Sequence, residues 1–299
     1  MRITENPKIS FRWMYFSGST RNLYRHEKGR LYEFWPSNGN RILCRGICIT
    51  GNQPILLLVA LACAIFPFVS FITSRVPDEG EEQTPMSVVF LTIWFLLTIT
   101  MILKVSLTDP GIIPRRPIMS MISKARGRED EDCDVFIDVE GATFCHTCEI
   151  HRPPGASHCS DCNNCVLGFD HHCAVLNNCV GQRNYPYFVA LLPCIFMLTI
   201  SFVFQIKFPH EGEPPKSEPP ILIQIILDLS VAIAFLAFIL VVALMTYHAW
   251  LLIWAKKTTK SHLTGRGMEH SSIKDRLSGA DALFDLRDVV EPGAFIHSP

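Results

Sequence analysis

Seven of the twelve cysteines fall between Cys145 and Cys179, in the run CHTCEIHRPPGASHCSDCNNCVLGFDHHCAVLNNC, interleaved with histidines. Three C-x2-C spacings occur, Cys145 with Cys148, Cys159 with Cys162 and Cys162 with Cys165. Two His-Cys steps, His158-Cys159 and His172-Cys173, add nitrogen donors. Zinc takes four tetrahedral ligands from thiolate and imidazole, and a C-x2-C turn brings two sulfurs to one ion. The segment therefore has donors for two closed sites. It has few large apolar side chains, so bound metal must supply much of its folding free energy, on the order of 10 kcal/mol per zinc in small zinc-dependent peptides.

The donor count leaves a remainder. With His146 and His151 set aside, the seven cysteines together with His158, His171 and His172 exceed two Cys3His sites by one cysteine and one histidine. A spare thiol near an imidazole is the arrangement nucleophilic sulfur chemistry needs, because the thiolate is the reactive form and a neighbouring base supplies it near neutral pH. The run Asp170-His171-His172-Cys173 offers the base and a carboxylate to orient it. Crowded thiols at metal-binding spacing point to a reducing compartment rather than to a disulfide scaffold.

The rest of the chain must place this cluster, and it is built for a membrane. Of 299 residues 48% are hydrophobic, and the mean hydropathy is positive. Residues 55 to 73 carry no charge and are long enough to cross a bilayer, with Asn52 placed to cap the start and Pro67 placed to kink the helix. A second apolar run covers 86 to 103, a third about 187 to 206, and a fourth lies within 221 to 254, its span set near 229 to 252 with Asp228 at the far interface and Trp250 and Trp254 at the near one. Basic residues follow spans two and four and precede span one, so those ends are expected in the cytosol, and the acidic loops 74 to 85 and 207 to 220 on the opposite side. No cleaved signal peptide is read at the start, and the first span is expected to target the chain.

The expected organisation is an all-α polytopic membrane protein with four transmembrane helices and a cytosolic zinc-stabilised module between spans two and three. Its divisions are a cytosolic segment 1–51, a membrane hairpin 52–107, the cysteine-rich module 108–186, two further spans 187–254 and a cytosolic tail 255–299. The stretch from Ile118 to Glu140, with the charge run starting at Arg128, reads as a mobile linker. The tail pattern Leu277, Ala280, Leu283, Phe284 and Val290 reads as a surface helix. A net charge of −1 provides no basic field for nucleic acid. Spans nearly free of ionisable residues argue against an ion path.

The module resembles the DHHC-type protein S-acyltransferases, or palmitoyltransferases. Beside Asp170-His171-His172-Cys173, the resemblance rests on Asp109-Pro110-Gly111, Arg152-Pro153-Pro154, the run Asn177-Asn178-Cys179-Val180-Gly181, Arg183-Asn184-Tyr185 and Thr258-Thr259, and it covers roughly residues 45 to 260. It implies one zinc on Cys145, Cys148, His158 and Cys165, and a second on Cys159, Cys162, His172 and Cys179. It implies Cys173 as nucleophile, His171 as base and Asp170 as its orienting group. The implied reaction moves a long-chain acyl group, palmitoyl above all, from acyl-CoA through a Cys173 thioester to cysteines of target proteins. Arg183, Lys256 and Lys257 are candidate cations for the CoA phosphates, and Phe90, Trp94, Phe188 and Phe196 candidates to line an acyl tunnel. The implied setting is the Golgi, endoplasmic reticulum or plasma membrane, with lipid around the spans and an accessory subunit left open.

Three positions depart from that family's pattern. Ala174 and Val175 stand where proline and tryptophan usually follow the DHHC cysteine, and Ser261 stands where a TTxE glutamate would be. The alternative reading these raise is a weakened or inactive membrane scaffold whose zinc module binds partner proteins.

Overall fold

The computed structural model describes residues 29–35, 39–74, 86–125, 127, 134, 136–207, 220–265, 277, 286–287 and 289–290. The first 28 residues, most of both expected outer loops (75–85 and 208–219), the charge run from Arg128, and Ala280, Leu283 and Phe284 lie outside them. In chain order the elements are strands β1 (Gly29–Arg30), β2 (Asn40–Leu43) and β3 (Cys48–Gly51), helices α1 (Ile55–Ser74) and α2 (Met86–Leu107), strand β4 (Ile112–Ile113) and helix α3 (Arg116–Ala125). Six short strands follow, β5 (Thr143–Cys145), β6 (Ile150–Arg152), β7 (Ser157–Cys159), β8 (Asn164–Val166), β9 (His171–Cys173) and β10 (Asn178–Val180). The chain continues through α4 (Tyr185–Lys207), α5 (Ile221–Trp250) and α6 (Thr259–Thr264) to β11 (Val289–Val290).

Among the described residues, α1, α2, α4 and α5 are long and apolar enough to cross a membrane. They close a ring in which α2 packs on α4, α4 on α5, α5 on α1 and α1 on α2. Phe71, Leu91, Leu198, Phe202 and Ala234 fill one end, where the Phe68 and Phe95 rings stack at 3.9 Å. Outward-facing Leu58, Leu96, Leu236 and Leu240 remain exposed, as lipid contact requires. Two interior hydroxyls bond back along their own helices, Thr98 Oγ1 donating to Trp94 O at 2.8 Å and Ser230 Oγ to Ile226 O at 2.8 Å, so no partner helix has to satisfy them.

α1 runs unbroken through Pro67, and α4 through Pro193. Asn52 Oδ1 accepts from Arg41 Nε at 3.0 Å, while the start of α1 is closed by Leu58 N donating to Pro54 O. α5 holds 30 residues, about 45 Å at 1.5 Å per residue, so it outruns the hydrocarbon and the 229–252 span expected from sequence is only part of it. It continues as a π-helical turn, Leu251–Ala255, and stops where Lys256 adopts a left-handed φ of 49°.

The linker expected from Ile118 is not a linker at its start. α3 buries Ile118, Met119, Met121 and Ile122, because its apolar residues fall on one face, and that face packs on the cysteine-rich module. Further on, the Asp134 carboxylate accepts from both the backbone and the ring Nδ1 of His151, at 2.7 and 2.9 Å.

The module itself is three hairpins, β5–β6, β7–β8 and β9–β10, of one design. The pairings Cys145 with Ile150, Cys159 with Asn164 and Cys173 with Asn178 are equivalent, and every position of one hairpin recurs 14 residues later in the next. Each turn passes through a left-handed residue at the same place, Glu149 (φ 56°), Asn163 (φ 51°) and Asn177 (φ 51°). The apolar cover this segment lacks comes from elsewhere in the chain. Leu31, Phe34, Trp35, Ile49, Leu286 and Val290 pack around Cys159, Cys162 and Cys179.

Candidate metal centres and thiol site

The repeat decides where each donor goes. The first hairpin offers Cys145 and Cys148, and the outer strand residues His158 and Cys165 of the second hairpin close on them. The second hairpin offers Cys159 and Cys162 in the same places, and His172 and Cys179 of the third close on those. Within each set of four, the ligand atoms lie within 4.8 Å of one another. His158 Nδ1 stands 3.8, 3.4 and 3.8 Å from the sulfurs of Cys145, Cys148 and Cys165. In the second set His172 Nδ1 is 3.5 Å from Cys162 Sγ and 3.7 Å from Cys179 Sγ, and the two sulfurs are 3.4 Å apart. A tetrahedron with Zn–S near 2.3 Å and Zn–N near 2.0 Å has edges of roughly 3.4–3.8 Å. Donor types and spacing thus fit a zinc ion in each set, and the sets contain the residues that the resemblance implies.

Cys173 belongs to neither set. It occupies the place that Cys145 and Cys159 hold in their hairpins, but the place of Cys148 and Cys162 is taken by Leu176. The thiol is half-buried and close enough to His171 for the imidazole to favour its thiolate. His171 Nδ1 in turn lies 2.9 Å from Asp170 Oδ2.

Asp170 is almost fully buried and held from several sides. Its backbone N donates to Val180 O at 2.9 Å, Thr259 N donates to Oδ1 at 3.0 Å, Thr259 Oγ1 donates to Oδ2 at 2.6 Å, and Lys260 N donates to Asp170 O at 3.1 Å. Burial pushes the carboxyl up, but the bonds from His171 and Thr259 outweigh it and hold it at about 2. Burial likewise opposes charge on His171, and its bonds to Asp170 and Cys173 raise it to about 9. Burial opposes the Cys173 thiolate, and His171 more than offsets it, so the thiol is lowered. A carboxylate, an imidazole and a thiol in line can shift a proton off sulfur and stabilise the thiolate that remains.

The surroundings fix both the ring and the sulfur. The Phe188 ring meets His171 edge-on at 5.3 Å, and His248, buried near the end of α5, meets Phe188 at 5.0 Å and stands 6.2 Å from His171. Cys173 packs against a cluster that draws on all four spans, with Leu57 from α1, Ile102 from α2, Phe188 and Leu192 from α4 and Val241 from α5. A long apolar chain attached to this sulfur would find hydrocarbon on the protein side.

The departures lie at the tip of β9–β10 and at the start of α6. Ala174 and Val175 form the exposed tip of the hairpin, whose turn is closed by Asn177 N donating to Ala174 O at 3.2 Å. Behind it, Asn177 accepts at its backbone O from Gly51 N and Thr50 Oγ1, and at its side chain from Gln53 N at 2.9 Å. A Cβ on Gly51 would fall 2.5 Å from Asn177 O, so only glycine lets β3 come this near. Asn178 Nδ2 reaches Val105 O, Ser106 O and Thr108 O at 3.1, 3.2 and 2.9 Å, tying the strand opposite Cys173 to the end of α2. Ser261 completes a capping box at the start of α6, donating from N to Thr258 Oγ1 at 3.1 Å and accepting from Thr258 N at 3.0 Å. A serine does there what a glutamate would do, and Thr259 stays directed at Asp170.

Residues 138–266 match the family model described as DHHC palmitoyltransferase. The chain is similar to the DHHC family over that stretch, less than half of its length. It is 32% identical over 207 residues to the probable protein S-acyltransferase 2 of Arabidopsis thaliana, covering 61% of this chain and 50% of that protein. It is 31% identical over 211 residues to the probable protein S-acyltransferase 1 of the same plant, covering 62% and 60%. It is 30% identical over 200 residues to palmitoyltransferase ZDHHC9 of Pongo abelii, covering 62% and 55%. The matched part thus spans about half the length of these curated relatives.

The other candidates are scattered. Arg183 is paired with Asp109, whose Oδ1 also accepts from Gly111 N and Ile112 N at 2.9 Å, so its guanidinium fastens the turn after α2. Lys256 is exposed and Lys257 half-buried just beyond α5. Phe196 stacks on Phe238 at 5.6 Å within the bundle, whereas Phe90 is 46% exposed and faces outward beside Trp94. Trp35, His248 and Thr259 received no role from the sequence. Only the Thr-Thr pair carried a signal, through its place in the family motif.

Proposed function

We propose that this protein is a protein S-acyltransferase that carries a long-chain acyl group, with palmitoyl the leading candidate, from acyl-CoA to cysteines of target proteins. The observation that supports it most is the Asp170–His171 hydrogen bond beside Cys173, whose sulfur lies outside both donor sets and against the four-span cluster. In this reading Cys145, Cys148, His158 and Cys165 hold one zinc, and Cys159, Cys162, His172 and Cys179 a second. The ions stiffen a segment that has little apolar core of its own. The Cys173 sulfur attacks the thioester carbonyl carbon, the carbon–sulfur bond to CoA breaks, and His171 returns the proton to the departing CoA sulfur. A target thiol then gives its proton to His171 and its sulfur attacks the Cys173 thioester. The bond between the acyl carbon and Cys173 breaks, and the Cys173–His171 pair regains the proton with which it began. Asp170 keeps the His171 ring oriented, and Thr259 keeps Asp170 in place. Exchange of one thioester for another is nearly balanced, so orientation and an available thiolate are the main requirements.

Lys256 and Lys257, just beyond α5, are the candidate cations for CoA phosphates, together with Arg183, which is paired with Asp109. The module 108–186, the segment 1–51 and the tail 255–299 lie in the cytosol in this reading, between a hairpin at 52–107 and the spans at 187–254, in an endomembrane or the plasma membrane. The test is incubation of purified protein with labelled palmitoyl-CoA. Label in a hydroxylamine-sensitive bond that Cys173→Ser abolishes is expected; label that persists in the variant contradicts the assignment.

A further inference from the structure

We propose that Leu176 is the residue that keeps Cys173 free of metal: β9–β10 is a hairpin of metal-binding shape whose second donor position holds an apolar side chain instead. This rests on the reading of Cys173 as the reactive thiol, and deepens it by naming what leaves that thiol available.

Three observations carry it. First, β9–β10 repeats the register of β5–β6 and β7–β8, so Cys173 and Leu176 stand in the backbone places of Cys145 with Cys148 and of Cys159 with Cys162. Second, the turn reaches its strand through the same left-handed residue, Asn177 at φ 51° against 51° and 56° in the other two. A donor at 176 would therefore point where the second sulfur of each metal-binding hairpin points. Third, Leu176 does not simply fill space. It is 5% exposed and buried in the cluster shared with Val180, Tyr185, Phe188 and Val241, so it anchors the hairpin tip in the helix bundle and draws Cys173 against the same surface.

The physical consequence is a choice between two fates for one thiol. Two thiolates at C-x2-C spacing bind soft divalent metals strongly, and a sulfur bound that way is a poor nucleophile. A leucine at the second place removes half of that pair and adds apolar contact on the side where an acyl chain would lie.

The experiment compares full-length wild type with Leu176→Cys and Leu176→His, which add a donor, and with Leu176→Ser and Leu176→Met, which add none of comparable strength. Metal content per chain and maleimide labelling of Cys173, located by peptide mapping, are read with and without added cadmium. The donor variants should bind one more metal ion than wild type and lose Cys173 labelling when cadmium is present. The Ser and Met variants should keep both the wild-type metal content and the labelling. Donor variants that label like Leu176→Ser in cadmium, or that shed resident zinc instead of gaining an ion, would overturn the proposal. A wild type that lacks two zinc ions or a reactive Cys173 would instead overturn the functional reading beneath it.

Discussion

The two donor sets have the same ligand types and differ in their surroundings. The first, around His158, sits among Ile113, Met119 and Ile150, and Met119 is the one α3 side chain in that cluster, since Ile118, Met121 and Ile122 face the second. The second, around His172, is walled by Leu31, Phe34, Trp35, Ile49 and Leu286, residues from outside the cysteine-rich segment, and its histidine is the direct neighbour of Cys173. The first set therefore stabilises the module from a distance, while the second also fixes the strand that presents the thiol. One β-pair, β7–β8, contributes to both, which couples them mechanically.

Removing one donor from each set is the severest way to break this comparison. Cys162→Ser should abolish acyl uptake at Cys173, whereas Cys148→Ser should leave it measurable though reduced by roughly tenfold or more, since metal binding is folding free energy in such segments. Zinc content by elemental analysis and acylation on the same samples check this; equal residual activity in the two variants would show that the sets do not differ in this way. Asp170→Asn should lower the rate of Cys173 acylation by about 10²–10⁴-fold, through loss of the oriented imidazole, with both metals retained. Thr259→Val removes the hydroxyl bond to the same carboxylate while keeping the size of the side chain, and should cost about 1.5–3 kcal/mol, seen as a smaller rate loss with metal content again unchanged. The change furthest from the chemistry is Trp35→Ala, which touches no donor. It should release metal from the second set before the first in a chelator titration, with a stability loss of about 3–5 kcal/mol in thermal unfolding of the module.

The membrane part was legible in the sequence because its signal is local. An unbroken apolar run declares a span without reference to any other residue, and only the ends shifted, as with α5. The donors were legible by spacing, yet the repeat that organises them was hidden, because its third copy has Leu176 where a count of cysteines looks for sulfur. The cover of the second set was unreadable for a related reason. Leu31, Phe34 and Trp35 form no periodic face, and they pack against residues more than a hundred positions away. α3 was obscured by the acidic run beyond it, although its own apolar residues fall on one side. The Thr259–Asp170 contact joins residues 89 apart and could be anticipated only through a family motif.

The central physical claim is that seven clustered cysteines divide into six held by metal and one left reactive. Maleimide footprinting of the native, zinc-loaded chain, read cysteine by cysteine before and after chelation, tests it most directly. Cys173 should be modified at once and Cys145, Cys148, Cys159, Cys162, Cys165 and Cys179 only after the metal is withdrawn. A Cys173 that stays protected until chelation, or any of those six that is modified before it, would contradict it.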